Sequence, residues 1–125
     1  MKKIALISLL LLTVSVSALA ATARNISSGE ARNVLAKRKN IFLLDVRTPE
    51  EYRQAHLKGA TLIPLSDLQL RYYEVPRNRP IVVYCAIGTR SSAAAALLAQ
   101  KGYREVYNMA DGIVGWYRSG YPLER

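Results

Sequence analysis

The chain of 125 residues has one Cys, one His, one Phe and one Trp, and it is short of acid, with 9 Asp+Glu against 18 Lys+Arg. A single Cys excludes an internal disulfide framework and a multi-thiolate zinc site, and a single His excludes a His-rich metal centre. No metal or cofactor is expected. With 7 Gly, 5 Pro and half of its residues apolar, the sequence is neither disordered nor collagen-like, and it holds no low-complexity linker. Its length leaves room for one ordinary domain. The basic excess lies in short groups, Lys37-Arg38-Lys39, Arg71, Arg77, Arg79, Arg90, Lys101, Arg104 and Arg118, and no helical face collects them at three- and four-residue spacing. That pattern predicts solvated surface charge with some steering of anionic substrates, and no nucleic-acid partner.

One long apolar run is present, at the N-terminus. Met1-Lys2-Lys3 is a basic head, Ile4 to Val16 is mostly Leu, Ile and Val, and Ala18-Leu19-Ala20 follows with small residues two apart. This is the layout of a secretory signal peptide, with cleavage expected after Ala20 and a second candidate site at Ala21-Thr22-Ala23. No Cys follows either site, which closes the lipoprotein route. Ile4 to Ala23 is long enough to serve instead as an uncleaved anchor, but Ser8, Thr13, Ser15, Ser17 and Thr22 weaken that reading. The expectation is therefore a leader over 1–20, one domain over 21–125, export to the periplasm, and no membrane contact after cleavage. Removing the leader takes two lysines and leaves 105 residues at a net +7. A domain of that size buries about 65% of its unfolded surface, enough for its own core.

Helical and strand signals alternate along the rest. Ser27 with Glu30 reads as a capping box, starting a helix that runs to about Arg38. Ile41 to Leu44 reads as a strand covered on both faces. Thr48-Pro49-Glu50-Glu51 starts a short helix to about Gln54, with Thr48 capping and Glu51 completing the box. Thr61 to Ile63 is a short strand, and Ser66 is expected to cap a helix toward Tyr72. Ile81 to Tyr84 is the clearest strand. Ser91 to Lys101 is a helix closed by Gly102, Glu105 to Asn108 a strand, and Ile113 to Ser119 a last helix. A weak strand at Ala23 to Ile26 makes five. Strands separated by helices predict an α/β fold, one parallel sheet with helices on both faces.

The chemistry is expected where the best strand meets the best helix, at Tyr84-Cys85-Ala86-Ile87-Gly88-Thr89-Arg90-Ser91, since ligands of open α/β sheets bind at the carboxyl ends of the strands. Ala86 to Ser91 contains no Pro, so every amide can donate, and Gly88 allows a positive φ, so the turn can curl into an anion nest. The helix end adds about half a positive charge and Arg90 a full one, and together they favour a thiolate at Cys85. An unpaired Cys in an exported protein strengthens the case against a merely buried side chain. Asp45 and Arg47 end the neighbouring strand, either as substrate contacts or as an ion pair that fixes the loop. His56 reads as a hydrogen-bonded structural residue.

At these residues the chain resembles the single-domain rhodaneses, or sulfurtransferases. The resemblance runs through Leu43 to Tyr52, His56-Leu57-Lys58-Gly59-Ala60, Ile63-Pro64, the Cys85 loop, Gly102-Tyr103, Asp111-Gly112 and Gly115-Trp116. It implies a five-stranded parallel rhodanese fold, with Cys85 as the sulfur-accepting nucleophile. The amides of Ala86, Ile87, Gly88, Thr89 and Arg90 would hold the substrate anion and then the persulfide, with Arg47 at the rim and Asp45 in support. The partners implied are small sulfur-containing anions, thiol acceptors and a protein sulfur acceptor. Two residues depart from the familiar pattern. Ala86 replaces the first Arg of Cys-Arg-x-Gly-x-Arg and leaves the pocket less cationic, and Asp111 replaces a Gly before the last helix. The alternatives are a non-catalytic sulfur-carrier or binding domain, and a cysteine phosphatase or arsenate reductase. The phosphatase loop carries five residues between Cys and Arg, whereas Cys85 and Arg90 enclose four, a cradle better sized for a sulfur atom than for a tetrahedral oxyanion.

Overall fold

The computed structural model describes residues 3–5, 13 and 23–125; the expected leader and its cleavage site lie almost wholly outside them. The order of elements is β1 (Arg24–Ile26), α1 (Ser28–Lys37), β2 (Phe42–Asp45), α2 (Pro49–Gln54), β3 (Thr61–Leu62), α3 (Leu65–Arg71), a 3₁₀ turn (Tyr72–Glu74), β4 (Ile81–Tyr84), α4 (Thr89–Gln100), β5 (Val106–Met109) and α5 (Gly112–Arg118). The five strands form one parallel sheet in the order β1-β5-β4-β2-β3.

Alternation along β4 sets the core. Ile81, Val83 and Cys85 face the layer built by α3 and α4, with Leu44, Ile63, Leu68, Ala94, Leu98 and Tyr103. Val82 and Tyr84 face the opposite layer, where Ala31 of α1, Tyr52 of α2 and Ile113 and Trp116 of α5 pack. Because the strand has a period of two, Cys85 continues the α4 side of the pattern, and its sulfur is delivered to the start of that helix. From β4 the chain moves outward to β5, and from β2 outward to β3. The crevice between the carboxyl ends of β4 and β2 is therefore the topological switch point of the sheet.

The local signals hold at α2, where Thr48 accepts from the Glu51 N–H at 3.2 Å and the Glu51 carboxylate accepts from the Thr48 N–H at 3.2 Å. At α1 only half of the box forms. Ser27 accepts from the Glu30 N–H, but the next amide, Ser28, donates across the fold to Asp111 at 2.9 Å. Ser66 does not cap α3. Pro64 holds the cap position, and the first amides of that helix are satisfied by backbone, Leu65 on the Val46 carbonyl and Asp67 on the Pro64 carbonyl. Helix α4 begins at Thr89 rather than Ser91, so Thr89 and Arg90 belong to its first turn.

Parallel strands also place all their amino ends on one edge. The segments that lead into β2, β4 and β5 meet there, and they carry Lys37, Arg38, Lys39, Arg77, Arg79, Lys101 and Arg104. Bases that look scattered along the sequence are gathered by the topology.

Candidate active site

Cys85 follows directly on β4 and is 1% exposed. Its sulfur receives the Gly88 N–H at 3.2 Å and the Ser91 hydroxyl at 3.3 Å. Burial pushes the thiol up, but the Ser91 hydroxyl and the N–H groups of Ser91, Gly88 and Ile87 outweigh it, and the pKa falls below the ordinary thiol value. The helix start contributes its unpaired amides, as the first turn of any helix does.

Two glycines fix the shape of the loop. Gly88 has φ +96°, and a Cβ there would stand 2.1 Å from the Ala110 carbonyl oxygen; Gly112 has φ +65°, and a Cβ there would stand 2.1 Å from the Ala86 carbonyl oxygen. The loop and the start of α5 are pressed together at distances that only hydrogen allows. In that contact the Ile113 N–H donates to the Cys85 carbonyl at 2.9 Å and the Val114 N–H to the Ala86 carbonyl at 3.1 Å. Outward-turned carbonyls leave the loop amides facing inward, toward sulfur. Asp111, the residue that departs from the family pattern, sits at φ −91°, a conformation open to any residue, and its carboxylate holds the start of α1.

Formal charges near the site are paired with one another. The Arg47 side chain is buried, and it donates to the Asp45 carboxylate at 2.8, 3.1 and 3.2 Å and to the Ala55 carbonyl at 2.6 Å. The ion pair is formed, and Arg47 also lines the depression beside the loop. Arg90 is held by Glu51 of α2 through two hydrogen bonds of 2.6 and 2.9 Å. The Arg90 guanidinium, with a smaller contribution from Thr48, holds the Glu51 carboxyl down at about 2. A depression of about 350 Å³ beside the loop is lined by Val46, Arg47, Thr48, Pro64, Leu65, Ser66 and Arg90. Ala86, Ile87 and Thr89 take their places in the loop and the first turn of α4, and Ile87 is exposed at its tip. His56 stacks on Tyr52 with ring centroids 3.9 Å apart, and its Nδ1 lies 2.9 Å from the Tyr52 carbonyl oxygen. Among the described residues no group of His, Cys, Asp and Glu is arranged to hold a metal ion.

The structure adds two residues to those read from the sequence. From the sequence Ser91 counts as a loop amide and the helix start, with no role for its hydroxyl, and Glu51 as a cap. A hydroxyl six residues after the Cys, one turn into the helix, was the available signal for Ser91.

A model of the rhodanese-like domain family matches residues 27–119. The chain belongs to the rhodanese-like family. A sulfurtransferase of Allochromatium vinosum is 39% identical over 89 residues, 71% of this chain and 83% of that protein. The thiosulfate sulfurtransferase GlpE of Vibrio cholerae is 29% identical over 94 residues, 75% of this chain and 89% of that one. A solved rhodanese-related protein of Thermoplasma volcanium superposes with a TM-score of 0.72 at 30% identity, covering 81% of this chain and 97% of that one. The sheet, its helices and the position of the rhodanese loop are those expected from the resemblance, and the named relatives support a transferase of the rhodanese family.

Proposed function

We propose that this rhodanese-like protein moves a sulfane sulfur from thiosulfate or a persulfide donor to cyanide or a thiol, through a persulfide on Cys85. The Cys85 thiolate attacks the outer sulfur of the donor. The donor S–S bond breaks, its electron pair leaves on sulfite or on the donor thiolate, and one sulfur remains bonded to Sγ. The acceptor then attacks that terminal sulfur, and the pair of the breaking S–S bond returns to Cys85 as thiolate. No proton transfer is required in either half, so no general base is needed at the loop.

The observation that carries this reading is the donor set at Sγ, an N–H and an O–H at 3.2 and 3.3 Å on a sulfur that ends a buried strand. The Ile87, Gly88 and Ser91 amides that face Sγ, with the rest of the loop from Ala86 to Arg90 around them, would take the charge on the transferred sulfur, which is stabilisation in the oxyanion-hole sense. Because Arg47 and Arg90 are both engaged by carboxylates, the loop offers dipoles more than net charge. That balance suits persulfide donors as well as thiosulfate. Small sulfur anions and thiols are the partners required, a protein thiol among them, and the leader-like N-terminus supports the periplasm as the setting.

Steady-state assay with thiosulfate and cyanide tests the proposal. Thiocyanate should form with parallel double-reciprocal lines, as a two-step covalent cycle demands. Mass spectrometry after donor alone should find the protein one sulfur atom heavier at Cys85, and Cys85→Ser should lose both signals. Full thiocyanate production by Cys85→Ser, or aryl phosphate hydrolysis without thiocyanate, would overturn it.

A further inference from the structure

The edge of the sheet opposite Cys85 gathers basic side chains from three connecting segments. Arg38, Arg77, Asn78, Arg79, Pro80, Arg104 and Glu105 line one groove of about 420 Å³ there. Lys37, Lys39 and Lys101 belong to the same connecting segments. The single carboxylate of the groove is already engaged, since Glu105 accepts two hydrogen bonds from Arg38, at 2.9 and 3.0 Å.

Three of these arginines are held in place. Arg77 donates to the Lys101 carbonyl at 2.7 Å and lies 4.5 Å over the Tyr103 ring. Arg79 donates to the Asn40 and Ile41 carbonyls and lies 5.5 Å over Phe42. Arg38 is fixed by Glu105. A guanidinium has five N–H donors, so each retains donors for a partner, and ordering costs less when the side chain is already set.

Two further features give the edge a direction. Arg24 opens β1 at the amino edge of the sheet, immediately after the uncharged run Ile4 to Ala23, so that run joins the domain on the basic side. Exposed apolar side chains lie on the segment descending to Arg77. Leu70 is 81% exposed and Tyr73 72%, and the neighbouring Tyr72 ring carries the Lys101 ammonium at 4.9 Å. The acids of that segment, Asp67 and Glu74, are both paired with Arg71, so a basic groove with exposed Leu and Tyr on an adjoining segment has the composition of an interfacial surface, in which the cations meet phosphate and the apolar groups enter the headgroup layer. Nucleic acid would use the bases but gains little from Leu70.

We infer that this edge docks on an anionic phospholipid surface, with the basic groove on the headgroup phosphates and Cys85 held at the far pole, open to its substrates. The sequence alone gave no reason for membrane contact after cleavage of the leader; the gathered edge supplies one. The inference is independent of the sulfur chemistry.

The test uses residues 21–125, which contain every strand and both cores among the described residues, and a solved rhodanese-related protein is 97% covered by 81% of this chain. Sedimentation with phosphatidylglycerol-containing vesicles should show binding at low salt that is lost near 0.5 M, where the screening length is only about 4 Å, and vesicles of phosphatidylcholine alone should show none. Lys37, Lys39 and Arg104 make no side-chain hydrogen bond among the described residues, so changing all three to Gln leaves the fold intact. Each base near an anionic surface is worth about fivefold, and the triple variant should lose roughly a hundredfold in affinity. Leu70→Ser with Tyr73→Ser should weaken binding at every salt concentration. Arg53→Glu, on exposed α2 at the other pole, should retain binding, and thiocyanate formation should be unchanged in all of these variants. Equal binding to neutral vesicles, no binding at low salt, or equal loss in Arg53→Glu would overturn the proposal. So would competition by millimolar inorganic phosphate, which would mark a small-anion site, or single-stranded DNA binding as tightly and indifferent to Leu70 and Tyr73, which would mark a general polyanion surface.

Discussion

The carboxyl ends of β4 and β2 lie side by side and solve the same problem with different materials. At the end of β4, Cys85 is surrounded by backbone N–H groups and one hydroxyl. At the end of β2, Asp45 is buried against Arg47, and the carboxylate also accepts the Arg47 backbone N–H at 2.9 Å. One rim presents donors to a guest; the other uses its charges on itself. The difference shows how a loop can favour an anion without a free cation. Dipoles fixed by the fold do not need a counterion, whereas a buried guanidinium does.

Breaking the self-satisfied rim should cost most. Asp45→Ala leaves the Arg47 guanidinium buried without its partner, and urea denaturation should show a loss of about 3 to 5 kcal/mol. The surviving folded protein should label at Cys85 with an unchanged midpoint if the two rims are independent. Gly112→Ala attacks the other rim through its backbone. The left-handed φ and the contact with the Ala86 carbonyl together should cost about 2 to 4 kcal/mol, and the thiol should return toward its ordinary pKa as the loop shifts.

Ser91→Ala is narrower. It removes one donor to the thiolate and nothing else from the loop, so the iodoacetamide midpoint of Cys85, below about 8.5 in the parent, should rise by about one to two pH units. No rise would mean that the amides alone hold the charge. Arg90→Ala should be smaller still. Because Glu51 already engages the guanidinium, kcat/KM for thiosulfate should fall by about tenfold or less, short of the full worth of a hydrogen bond to a charge. The same pair sets an acid limit. Glu51 is lowered from 4.5 to about 2, so its contribution is complete above pH 4.5 and is lost as pH falls toward 2. Both side chains are about a third exposed, 36% and 30%, and the contribution at stake is about 1 kcal/mol. Acid denaturation of Glu51→Gln should lack that part of the transition.

The place of Cys85 at the end of a strand, the glycine behind it and all five strands could be read in advance because each rests on neighbours in sequence, a strand, a turn and a helix in succession. Glu51 could not, since its capping signal was complete in itself and its second partner lies 39 residues away. Ser66 looked like a cap for the converse reason. A local signal was present, but the cap falls earlier, at Pro64, where the Leu65 amide is taken by the distant Val46 carbonyl and the Asp67 amide by Pro64 itself. The basic edge was invisible for a third reason. Lys37 to Lys39, Arg77 to Arg79 and Lys101 to Arg104 are far apart along the chain, and only a parallel sheet, with every strand beginning on the same side, brings them together.

The contact between the loop and α5 has a consequence for the order of events in synthesis. The peptide planes at Cys85 and Ala86 are pinned by Ile113 and Val114, which leave the ribosome more than 25 residues later. Until the start of α5 has been made and seated, the nascent chain carries its thiol without a finished cradle. A truncated product ending before Gly112 would contain Cys85, Gly88, Arg90 and Ser91 but lack the two amides that pin the loop, so the first turn of α5 serves as a check on the geometry around the thiol.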